Sequence, residues 1–228
     1  MSDQKALSAE MQAYYNLKQA IFERRLAPGA ALTERSLCEF LQLGRTPVRA
    51  ALKHLTADGF VTIIPNRGAF LISATRKQME QCYEVKNDML MSIIRKHIQE
   101  FTETEFSLME EAIAAESAAF NNFQFQQYLD SIWAFFAVII AKAENPLLDE
   151  LYEIVCKRIG IYLVLYDDFY MPQRHRFHSG QGHRDILNAL RQRDIVQIET
   201  LMNTLAHTVV NNLQFAYTAA ANIDSAFH

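Results

Sequence analysis

The chain has 228 residues, half of them apolar and 21% charged, with a formal net charge of −4. That is ample material for the core of one or two domains. It excludes disordered, collagenous and low-complexity classes, since Gly and Pro together number only 12. The longest clean apolar run, Ile132–Ala141, is about half a membrane span, and the first residues lack an apolar signal-peptide core. Cys38, Cys82 and Cys156 are too widely spaced to suggest disulfides or a zinc site. A soluble, cytoplasmic protein is expected. The charge is uneven: residues 1–75 carry nine Lys/Arg against six Asp/Glu, while the remainder carries 13 against 20. A basic front and an acidic back suit a polyanion-binding domain on a body that repels polyanions.

In chain order, Leu7–Arg25 reads as a helix, with Met11, Tyr15, Leu17, Ile21 and Phe22 broadly on one stripe. Pro28-Gly29 breaks it. Thr33 is a good N-cap for a second helix over Glu34–Leu41. After Gln42-Leu43-Gly44, a third helix is predicted from Arg45 to Ala57, with Pro47 in its first turn, where a missing N–H is harmless. Asp58-Gly59 stops it. Phe60–Ile64 and Ala69–Ile72 then flank a turn at Pro65-Asn66-Arg67-Gly68, a β-hairpin signal. Helix, helix–turn–helix and hairpin in this order form a winged helix–turn–helix.

Beyond Arg76 only helices are expected, over about 77–99, 103–120, 123–143, 146–169, 178–192 and 195–220. Short connections between long helices predict antiparallel neighbours. The expected fold is therefore mainly α: a winged helix–turn–helix over residues 1–75, then an all-α bundle of about six antiparallel helices over 76–228.

The stretch Leu26-Ala27-Pro28-Gly29 through Leu43-Gly44-Arg45-Thr46-Pro47-Val48-Arg49 to Gly59, then Pro65-Asn66-Arg67-Gly68-Ala69, resembles the GntR family of bacterial transcription regulators. The remainder resembles the FadR-type (FCD) effector domain through Tyr83-Glu84-Val85-Lys86, Glu144-Asn145-Pro146-Leu147-Leu148 and Gly182-His183-Arg184-Asp185-Ile186-Leu187-Asn188-Ala189-Leu190. The resemblance implies a dimeric regulator on an inverted-repeat operator, with a small-molecule effector in the bundle.

A recognition helix reads bases from its N-terminal residues. Arg45 is the leading base reader through guanine O6 and N7, and Arg49, four residues on, shares base and backbone contact. Thr46 offers a hydroxyl and a methyl at the same edge. Arg35 suits phosphate or a neighbouring base, and Arg67 with Gly68 at the hairpin tip can track the minor groove. The family usually has serine where this chain has Gly44. Glycine caps nearly as well, and losing a phosphate contact weakens binding without changing the sequence read.

The resemblance also implies a divalent metal held by Asp and His four apart on one helix and by two later histidines. Those slots fall on Ile132, Phe136, His183 and Leu205, so three of four are hydrophobic and a metal is not expected. Asp130 and His207 lie two residues from empty slots, about 200° round a helix. His175, His178 and His183 have no carboxylate at ligand spacing. The centre is then either filled core or a pocket for an apolar molecule or amphipathic acid, lined by Ile132, Phe136, His183 and Leu205, with Lys86 and Arg184 holding an acidic group at the rim. Two other functions stay open: a ligand-insensitive architectural DNA binder, and a metal-dependent hydrolase using His175, His178, His183 and a carboxylate. There is no nucleophile elbow, P-loop or dinucleotide fingerprint, so no catalytic residue and no cofactor are assigned.

Overall fold

A computed structural model describes residues 8–167, 169 and 178–215. The chain forms two compact units. Of the described residues, the first comprises those from Ser8 to Ala74 with Ile161–Tyr166 and Phe215; the second comprises Thr75–Gly160 and those between Asp167 and Gln214.

In the first unit, α1 (Ala9–Phe22) starts at Ser8, whose side chain accepts from the Met11 N–H. It ends before Arg24, which takes a left-handed φ of 56°. Gly29, at φ 81°, turns the chain where Pro28-Gly29 predicts a break. Thr33 caps α2 (Glu34–Leu41) by accepting from the Ser36 N–H. Gly44 precedes α3 (Arg45–Ala57) with no side-chain cap. Leu17 and Ile21 of α1, Leu37 of α2, and Val48 and Leu55 of α3 are fully buried. Tyr14 donates to Asp58 at 2.6 Å, tying α1 to the end of α3.

The hairpin pairs β1 (Val61–Ile64) with β2 (Gly68–Leu71) antiparallel, Val61 opposite Leu71. The sequence does not announce a third edge. Ala31 bridges Phe70, with Leu32 donating to the Ala69 carbonyl at 2.8 Å and Leu71 donating to the Ala30 carbonyl at 2.9 Å. The segment between α1 and α2 thus closes one side of the hairpin.

The second unit is helical among the described residues. Its first helix, α4 (Arg76–His97), opens with a capping box between Thr75 and Gln78, and a 3-10 turn follows over Ile98–Glu100. Then come α5 (Glu103–Asn121), opened by a Thr102–Glu105 box, α6 (Phe125–Ala141), α7 (Pro146–Tyr166), whose residues from Ile161 on belong to the first unit, α8 (Gly180–Arg191) and α9 (Ile195–Asn212). Left-handed residues Phe123, Glu144 and Arg193 mark three of the connections. The six helices match the expected bundle. α5 packs on α6 and α8, and α4 packs on α6 and α9. The apolar run through α6 is explained by this double coverage: Leu129, Ile132, Phe135, Phe136, Ile139 and Ile140 are all buried.

Candidate functional site

The DNA-facing residues are built on α2, α3 and the hairpin. Arg45 and Arg49 lie four apart on α3, so both leave the same face near its N-terminus. Arg45 and Thr46 are exposed, and neither makes a hydrogen bond or ion pair with a described residue. Arg49 Nε donates to Glu34 Oε1 at 2.6 Å, which holds the Glu34 carboxyl below its usual range. Arg35 pairs with Glu39 at 3.0 Å on the exposed side of α2. At the hairpin, the Arg67 guanidinium lies 5.7 Å from the Phe70 ring centroid. Gly68, at φ 98°, would meet nothing within 4 Å of an added Cβ.

A hollow of about 470 Å³ gathers Glu34, Arg49, Lys53, Ile63, Arg67 and Gly68. Lys53 was not singled out from the sequence. Its signal is there: it follows Arg49 by four residues on α3, extending the basic face by one turn.

Inside the bundle, Lys86 corrects its expected place. It does not stand at a rim: its residue is 4% exposed. Its Nζ lies 4.1 Å from the Phe136 ring centroid and 4.8 Å from that of Tyr83. No described carboxylate comes within ion-pair distance. Burial lowers its pKa to about 8, with the Cys156 thiol acting weakly in the opposite sense. Arg184, its expected companion, is exposed.

Phe136 in turn meets His183 edge-on, 5.2 Å between ring centroids, and Phe135 lies 5.0 Å from the same imidazole. Ile132 and Phe136 are buried, while Leu205 is half-buried, its side chain against Gly182 of α8. Lys86, Phe136 and His183 therefore form a contiguous group.

The histidine reading also needs correction. No carboxylate stands at ligand spacing in the sequence, yet the fold brings Glu116 of α5 to His183. Nδ1 and Oε2 are 2.7 Å apart, and both side chains are almost wholly enclosed. Ser179 donates to the other Glu116 oxygen at 2.5 Å, and Tyr128 reaches Ser179 at 2.8 Å. His178 stacks on Phe120, with Nε2 3.9 Å from Glu116 and without a hydrogen-bond partner among the described residues. Burial lowers the His178 pKa, against the pull of Glu116. His175 lies outside the described residues. Asp130 is exposed and accepts from Gln126, and His207 is exposed in a groove between α4 and α9. Among the described residues no group of three or more His, Cys, Asp or Glu could hold a metal.

The family model for bacterial regulatory proteins of the gntR family matches residues 10–71, and the FCD domain model matches residues 81–208. The chain belongs to the FCD family of GntR-type transcription regulators. It is 26% identical over 112 residues to the HTH-type transcriptional regulator YdhC of Bacillus subtilis, covering 49% of this chain and 50% of YdhC. It is 22% identical over 213 residues to the HTH-type regulator McbR of Escherichia coli, covering 93% and 95%. The match thus spans half of one relative and nearly all of the other. Among solved structures, Listeria monocytogenes Lar, described as controlling expression of the agr system, superposes with a TM-score of 0.67 at 20% identity, covering 92% of this chain and 98% of Lar. A winged helix–turn–helix on an FCD bundle makes this a DNA-binding transcriptional regulator. No described helix is long and apolar enough to cross a membrane.

Proposed function

We propose that this regulator is a cytoplasmic, homodimeric repressor without catalytic activity, released from a pseudo-palindromic operator by a small effector in the FCD bundle. Two-fold protein symmetry calls for two half-sites. Arg45, Thr46 and Arg49 read base edges, Arg35 engages phosphate, and Arg67 with Gly68 tracks the minor groove beside them. Occupancy alone blocks polymerase, which favours repression as the default.

The observation that carries the ligand response is the Lys86 ammonium, buried without a carboxylate partner among the described residues. An enclosed, uncompensated charge is unfavourable, and an acidic group entering beside Phe136 relieves it. Lys86, Ile132, Phe136, His183 and Leu205 would together receive an apolar molecule with an acidic end. The effector shifts the equilibrium by its differential affinity for the released state. The test is fluorescence anisotropy on an operator selected from random duplex DNA. Medium-chain fatty acids and acyl conjugates should release the wild type and leave Lys86→Met bound. Equal release of both would sink this reading.

A second reading, ligand-insensitive DNA binding, draws support from Ile132 and Phe136, which fill the positions of two metal ligands with buried hydrocarbon. It predicts that no acyl compound changes operator affinity. The hydrolase reading finds no such support, because among the described residues no group of three or more His, Cys, Asp or Glu could hold a metal.

A further inference from the structure

We infer that Lys86 is a covalent docking point for an aldehyde carried on an apolar chain, held as an imine between the rings of Tyr83 and Phe136. This rests on the effector-site reading above, keeping its place and apolar chain and putting an aldehyde where that reading has an acidic end.

Placement is the first support. Lys86 is enclosed, its Nζ lies over Phe136 and near Tyr83, and it makes no hydrogen bond or ion pair with any described residue. An amine kept only to anchor a permanent anion would gain from fixed donors beside it. The groups described around this one are two aromatic faces and a thiol, Cys156.

Reactivity is the second support. Burial leaves roughly a tenth of the amine neutral at pH 7, against less than about one part in a thousand for a solvated lysine. The neutral amine is the nucleophile, and desolvation in an apolar pocket is one of the ways enzymes activate lysine. Cys156 does not compete, since burial pushes its thiol up to about 11. The Tyr83 hydroxyl, raised far above its usual value by burial, stays protonated.

The chemistry closes without an oxidant. The Nζ lone pair adds to the carbonyl carbon while the carbonyl π pair moves to oxygen. That oxygen takes up the proton the nitrogen gives up. The carbinolamine hydroxyl takes a proton from water and leaves as water while the nitrogen pair forms the C=N bond, and the resulting iminium returns its N–H proton to solvent to give the imine. Amine and aldehyde become imine and water. When protonated, the iminium keeps one positive charge over the Phe136 face, so the cation–π contact survives.

The test incubates the full chain at pH 7 with one equivalent of octanal and cyanoborohydride, followed by peptide mass mapping across its eight lysines. The expected result is one alkyl group on Lys86, labelled roughly tenfold or more above any exposed lysine. Lys86→Arg and Lys86→Met, both checked for an intact melting transition, should lose that label and keep the background. Label spread over the exposed lysines with Lys86 unmodified overturns the inference. Operator release by octanoate but not octanal, with no Lys86 label, overturns it and leaves the effector site standing. Labelling of Lys86 without any change in operator affinity upholds it and removes the regulatory reading instead.

Discussion

His183 Nδ1 and Glu116 Oε2 lie 2.7 Å apart with both side chains almost wholly enclosed, an imidazole and a carboxylate that the chain separates by 67 residues. Ser179 satisfies the second Glu116 oxygen. The imidazole that occupies the family's third ligand slot is thus oriented by a carboxylate from α5.

Removing that carboxylate should be severe. Glu116→Ala strands His183 and Ser179 without their acceptor and should lower unfolding free energy by about 3–5 kcal/mol. Glu116→Gln keeps an acceptor oxygen and should lose about 1–3 kcal/mol. Urea melts of both variants check the order; equal, small losses would mean the pair contributes little.

Metal content follows from Ile132, Phe136 and Leu205, which fill three of the family's four ligand slots with hydrocarbon. Protein purified without chelators should carry far less than one equivalent of any transition metal, and EDTA should leave Tm unchanged. Elemental mass spectrometry decides it, since a stoichiometric metal would require ligands other than the hydrocarbon side chains that fill those slots beside His183.

Lys86 makes stability depend on pH. Its proton is bound more weakly in the folded chain, pKa about 8, than in the unfolded chain, near 10.5. Between those values the unfolded chain holds more protons, so stability rises with pH; below about pH 8 the whole penalty, of order 3 kcal/mol, is present. Lys86→Met should therefore be more stable than wild type at pH 7 by about 1–3 kcal/mol after loss of the cation–π contacts. The advantage should shrink above pH 8 and vanish past about pH 10.5 in paired denaturant titrations.

On DNA, Arg45→Ala should relax the preference at one base pair by about 1–3 kcal/mol. Arg35→Ala should instead lower the salt slope by about one and leave the selected sequence unchanged. Lys53→Ala should behave like Arg35→Ala. Selection from random duplexes, repeated at several salt concentrations, separates the two kinds of contact.

The backbone makes one further demand. Gly59 ends α3 at φ 87°, so Gly59→Ala should lose about 1–2 kcal/mol through its left-handed conformation alone. Thermal melts check this, and an unchanged Tm would mean the turn relaxes.

Local signals made much of the fold legible. Thr33, Gly44, Gly59 and the Pro65–Gly68 turn mark where α2, α3 and the hairpin begin and end, because caps and turns are determined within a few residues. The Ala30–Leu32 edge was not legible, since three residues are too few to show alternation. Nothing local marks Lys86 as buried, and only the packing of α6 on α4 encloses it. Glu116 was invisible for a different reason: its partner lies on another helix, and no spacing rule spans 67 residues. Lys53 is legible, one helical turn beyond Arg49.

The hydrogen bonds that fasten Ala30–Leu32 to the hairpin alter what happens when the tip meets a duplex. A two-stranded ribbon on its own is only marginally stable in water, and one that had to stiffen on DNA would surrender chain freedom on contact. Here that freedom is already lost in the unbound protein, so the tip arrives as a braced lever. A push on it is transmitted directly to the segment that starts α2, and from there to the helix pair that reads the bases.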